Sequence, residues 1–131
     1  MPVGPVLRMA PPKGLRVIYL VYRMKLSEKS RRDQKAFWAW LEDRESWFYQ
    51  DLPMVKEVRW YYSVVGDVYT IENWAAFDDE AAWGAYRSAL AGLKRDHGWE
   101  SQRVSQDDWW EFLDTRIVTD PPVPVGLSRA G

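Results

Sequence analysis

The chain has one histidine, His97, and no cysteine. Those two facts bound its chemistry at once. Without cysteine there is no thiolate nucleophile, no disulfide and no sulfur-ligated metal. With one imidazole there is no multi-histidine zinc site, and a Ser-His-Asp triad would have to be built on His97 itself. His97 stands before Gly98, a pairing that suits a histidine capping the last carbonyls of a helix. Carboxylates are plentiful, but their spacing recommends neither a metal cage nor a calcium loop, so no metal is expected. No GxGxxG or Walker-type run occurs. That sets ATP and dinucleotide enzymes aside and leaves no cofactor expected.

Aromatic side chains are the unusual resource: nine Trp, seven Tyr and four Phe. A small core needs only a few large rings. The surplus implies a second buried surface, either a subunit interface, the more economical reading, or a ligand pocket. Charged residues within strands offer a further set. Glu57, Arg59 and Tyr61 alternate, so they share one strand face where an acid and a base could meet a polar ligand. The plainer reading is a pairing on a wet or barrel-facing surface, worth little energetically. Glu72, Asp114 and Arg116 stand in the same position.

These residues must be positioned by a body of modest size. At 131 residues the chain has room for one domain. Prolines gather at both ends, at positions 2, 5, 11 and 12 and again at 121, 122 and 124. Residues 1–14 and 120–131 therefore read as flexible tails around a folded body at 15–119. Within it, Arg16–Lys25 reads as a strand that is apolar on both faces. A helix follows from Ser27 or Ser30, where Ser30 and Asp33 resemble a capping box, and Pro53 stops it. Its apolar stripe is Phe37, Trp40, Leu41 and Phe48; Arg44 falls on that stripe and is expected to snorkel to solvent. Val55–Val65 and Val68–Phe77 form a hairpin about a short Gly66-Asp67 turn. A second helix runs from Asp78 or Asp79 to about His97, stopped by Gly98; 101–106 is a polar connector, and Asp108–Val118 is the last strand.

The order β-α-β-β-α-β predicts an α+β, ferredoxin-like fold: a four-stranded antiparallel sheet with two helices on one face. The other sheet face still carries apolar residues, and a homodimer packed through it is the simplest remedy. The balanced charge, 18 Lys+Arg against 19 Asp+Glu, argues for neither nucleic acid nor an anionic membrane. No apolar run approaches the ~20 residues that span a bilayer. Absent disulfides and the lack of a signal-like amino terminus lean towards the cytoplasm.

The run from Glu72 to Ser101, ENWAAFDDEAAWGAYRSALAGLKRDHGWES, resembles the second half of NIPSNAP-like domains. Those show an aromatic strand end, a helix rich in small residues and an Asp-x-x-Trp-like close, here Asp96-His97-Gly98-Trp99. The wider group is the dimeric α+β barrel superfamily, which includes antibiotic-biosynthesis monooxygenases and haem-degrading enzymes. The resemblance implies a homodimer with a cavity between sheet and helices, and it fixes no activity. By analogy with cofactor-independent monooxygenases and with haem-degrading relatives, it implies Asn73, Trp83 and His97 as catalytic candidates. Trp60, Tyr62, Trp74 and Tyr86 follow as contacts for an apolar or aromatic small molecule. Three readings stay open: a small-molecule binder or oxygenase, a haem protein using His97, and a non-catalytic dimeric interaction module.

Overall fold

The computed structural model describes residues 17–129. The tail expected at 1–14 lies outside the described residues, as do positions 130 and 131; residues 120–129 carry neither helix nor strand. The elements are β1 (Ile18–Leu26), α1 (Glu28–Arg32), α2 (Gln34–Phe48), β2 (Glu57–Tyr62), β3 (Thr70–Phe77), α3 (Glu80–Leu93), α4 (His97–Ser105), a 3-10 turn (Gln106–Asp108) and β4 (Trp110–Thr119). All strand pairs are antiparallel in the order β2-β3-β1-β4. Each βαβ half is thus split by a strand of the other, the ferredoxin-like arrangement.

Alternation decides which side chains meet the helices. On β1, Ile18, Leu20 and Met24 face them, and on β3 Ile71, Ala75 and Phe77 do so, all at most 6% exposed. From α2, Phe37, Leu41 and Phe48 pack down on this face, and Tyr86 does so from α3. Met24, Phe37 and Trp110 anchor one end of the core, Leu20, Phe77 and Tyr86 the other.

The first predicted helix is divided and the second ends early with a new helix behind it, and the reason in both places is capping chemistry. Asp33 adopts a non-helical φ of −140° and its Oδ1 accepts from Ala36 N at 3.1 Å, so a new helix starts there. Ser27, not Ser30, caps α1, accepting from Ser30 N at 3.2 Å. The Ser30 hydroxyl is buried and donates instead to the Trp109 carbonyl at 2.7 Å, tying α1 to the root of β4. In the second half α3 ends at Leu93, and Asp96 accepts from Trp99 N at 3.0 Å to open α4. His97 and Gly98 therefore lie in the first turn of a helix, not at the end of one, and most of the expected polar connector 101–106 is helical. A C-terminal capping role for His97 does not hold.

Two strand details also differ. The hairpin loop spans 63–69 rather than two residues, with Ser63 N bonded to Thr70 O at 2.9 Å. Val64 and Val65 have strand-forming side chains, but no described residue covers them, and they remain 87% and 90% exposed. Gly66 (φ 99°) and Tyr69 (φ 63°) turn the chain through the left-handed region. In β4 the register slips by one residue, so that Met24 opposes Phe112 while Arg23 opposes Asp114. This bulge at Leu113 keeps Trp110, Phe112 and Thr115 on the helix side and leaves Asp114 and Arg116 on the other.

Candidate functional site

Between the sheet and α2, α3 and α4 lies a cavity of about 250 Å³. Its wall is built from the helix-facing positions of all four strands: Trp60 on β2, Asn73 on β3, Tyr22 and Met24 on β1, and Trp110, Phe112 and Thr115 on β4. The helices contribute Arg44 and Phe48 from α2, Tyr86 and Leu90 from α3, and Arg103 from α4. Tyr49, Lys94 and Gln106, from the segments that follow these helices, complete the lining. Exposed Lys94, Phe112 and Thr115 place its mouth between β4 and the end of α3.

Its polar groups converge on Arg44 and Asn73. Asn73 is 3% exposed and donates from Nδ2 to the Tyr49 hydroxyl at 3.2 Å. Tyr22 and Tyr86 stand on the same wall, from the sheet and from α3. Burial pushes the phenols of Tyr22, Tyr49 and Tyr86 above the usual tyrosine range, against the pull of the Arg44 charge. They are neutral donors and acceptors at physiological pH.

Arg44 is the residue that sequence reasoning placed wrongly. Its side chain does not snorkel; it is 7% exposed. Its Cζ lies 3.9 Å from the Phe48 ring centroid and 5.4–5.6 Å from those of Tyr49, Trp60 and Trp110, a cation held among aromatic faces. Nε donates to Gln106 Oε1. Nη1 has no hydrogen-bond acceptor among the described residues; the nearest carboxylate, Glu45 Oε1, is 3.6 Å away. That oxygen instead accepts from the Trp60 indole at 2.6 Å. Burial pushes the Glu45 carboxyl above its ordinary value despite Arg44 and Trp60. The Trp110 indole N–H is a second buried donor without an acceptor among the described residues. The available signal was a charged residue seven positions along an apolar stripe.

No protein-family model and no curated protein matches the chain. Solved structures do. An uncharacterized NIPSNAP-like domain protein from Burkholderia xenovorans superposes with a TM-score of 0.55 at 15% identity, over 87% of this chain and 96% of that one. HapK from Hahella chejuensis gives 0.53 at 16% identity, over 85% and 99%. The chain has a NIPSNAP-like α+β fold.

Within that NIPSNAP-like fold the predicted residues separate into groups. Trp60, Asn73 and Tyr86 come together in the cavity wall. Tyr62 shares their sheet face but sits at its edge, bonded to Gln34 at 3.2 Å and stacked edge-on against Trp38. Trp74 follows Asn73 and so points to the opposite sheet face, where its indole donates to Glu72 at 2.9 Å. Trp83 packs against the core from α3, with Arg87 over its ring, and does not line the cavity. His97 is exposed at the start of α4, also off the lining. Glu57, Arg59 and Tyr61 do share a face, the one away from the helices, and Arg59 pairs with Glu57 at 2.9 Å. Among the described residues no cluster could hold a metal ion, and no helix is long and apolar enough to cross a membrane.

Proposed function

We propose that this chain is a cytoplasmic, homodimeric protein that binds an apolar or aromatic small molecule between its sheet and helices. The observation that carries the reading is the cavity itself. Aromatic walls from Trp60, Trp110, Phe48 and Phe112 surround a few buried polar groups, the composition of a small-molecule site. Its size, about 250 Å³, sits just under the ~300 Å³ at which such sites usually begin and suits a one- or two-ring ligand. A pure interaction module would have no reason to leave this space and line it with Asn73 and Arg44.

The geometry favours binding over the oxygenase reading. A cofactor-independent oxygenase needs a base for its phenolic substrate. Among the described residues lining the cavity none is a carboxylate or histidine, and the three phenols are held protonated. The haem reading lacks a ligand there for the same reason.

A thermal-shift screen of one- and two-ring aromatic compounds tests the proposal. Ligands of the cavity should raise the melting temperature of the native protein, with a shift that grows as the logarithm of concentration over Kd. Thr115→Trp, at the exposed mouth, should melt close to the parent and lose those shifts. A screen without stabilising compounds, or shifts that survive Thr115→Trp, would overturn the cavity as the site.

A further inference from the structure

Resting on the small-molecule reading above, we propose that the ligand is an organic carboxylate and that Arg44 is its counter-ion. The argument starts from charge. Arg44, Lys94 and Arg103 line the cavity, with no lining carboxylate among the described residues. Arg103 is neutralised by Glu100, to which it makes two bonds, Nε at 2.8 Å and Nη2 at 2.5 Å. Lys94 at the mouth is exposed and feels Glu100 only at a distance. Arg44 is faced by Glu45, but that carboxylate lies beyond hydrogen-bond reach of Nη1 and is engaged by Trp60.

Burying a guanidinium is costly unless its donors are satisfied. Here Nη1 of Arg44 and Nε1 of Trp110 are both buried without acceptors, and the Arg44 Cζ lies 5.4 Å from the Trp110 ring. Both residues line one aromatic cavity, and a single ligand that brings oxygen acceptors on an apolar body would satisfy these donors once the side chains that cover them shift aside. A carboxylate does this. Its two oxygens match the planar donor geometry of arginine, and its charge completes the pair that Glu45 leaves incomplete. The neighbouring phenols of Tyr22 and Tyr49 supply further donors at the same wall.

Calorimetric titration with 2-naphthoate, indole-3-carboxylate and their neutral amides tests this directly. At low salt each carboxylate should bind at least about tenfold more tightly than its amide, the range of a charge-assisted hydrogen bond. Arg44→Met should bring that preference below about threefold. Lys94→Gln, a surface change that leaves folding intact, should weaken the carboxylates about two- to threefold and spare the amides. Should Arg44→Met not fold, Arg44→Lys keeps the charge without the fork and should still lose most of the preference. Equal binding of acid and amide, or a preference unmoved by either Arg44 variant, would overturn the carboxylate assignment while the cavity reading stands. No binding of any of the four compounds would overturn both.

Discussion

Glu45 and Arg44 are neighbours in sequence that share one electrostatic problem. Arg44 must stay charged in an apolar setting, and Glu45 offers it partial relief while being itself desolvated on one side. Because burial raises the carboxyl above its ordinary value near 4.5, the folded state holds that proton more tightly than the unfolded chain does. The sign follows. Stability from this group is full below pH 4.5 and declines as pH rises through the higher folded value. Glu45→Gln keeps an oxygen for the Trp60 indole and removes the titration. Measured by melting at pH 4, 6 and 8, the variant should gain on the parent as pH rises. A constant difference across that range would show that Glu45 ionises as freely in the fold as outside it. Asn73 shows how much of the site was legible at this scale. A polar residue at a helix-facing strand position is visible in an alternating pattern, whereas its partner Tyr49 lies just past the end of α2, where no periodicity marks it. Trp74 could have been separated from Asn73 by the same alternation, since neighbours on one strand cannot share a face.

At the scale of elements, the four strands were readable because β-branched and aromatic runs bounded by turn residues leave little choice. The helix boundaries were less so. A carboxylate three residues before a free backbone N–H starts a helix whatever the apolar stripe is doing; Asp33 does this inside a stretch that reads as one continuous helix, and Asp96 where a helix reads as ending. The β4 bulge is invisible to pattern alone, since one extra residue changes the facing of everything beyond it. α3 carries its own unused stability. Gly84 lies inside that helix, and a methyl group there would meet nothing within 4 Å. Gly84→Ala should therefore stabilise the fold by about 0.5–1 kcal/mol through a less flexible unfolded chain and better helix propensity. Denaturant unfolding should show a higher midpoint with an unchanged slope. A lower midpoint would mean that α3 is packed against something on that face in solution.

For the whole molecule, the sheet face turned away from the helices is the first candidate for the homodimer proposed above. It is less apolar than expected. Rings of Tyr19, Trp74 and Tyr61 stand side by side across β1, β3 and β2, with neighbouring centroids 5.9 Å apart. Arg23 bonds Asp114 at 2.9 Å, and Arg116 reaches towards Glu72 at 3.9 Å. The rings and the arginines suit an interface centre, where Trp, Tyr and Arg carry most of the energy, and the Asp114 and Glu72 carboxylates suit its polar rim. The homodimer we propose through this face makes Trp74 its anchor. Trp74→Arg should weaken self-association at least about tenfold in sedimentation equilibrium, and because the side chain lies outside the helix-covered core, far-UV circular dichroism should stay native. A competing surface exists on the helix side of β4, where Phe112 and Ile117 are 52% and 43% exposed. Ile117→Glu distinguishes the two. Loss of the dimer with Trp74→Arg but not with Ile117→Glu would place the interface on the open sheet face and leave the cavity mouth free for ligand. The reverse result would put the partner over the mouth itself, and ligand affinity would then rise with protein concentration. A parent protein that stays monomeric at micromolar concentration would exclude both arrangements.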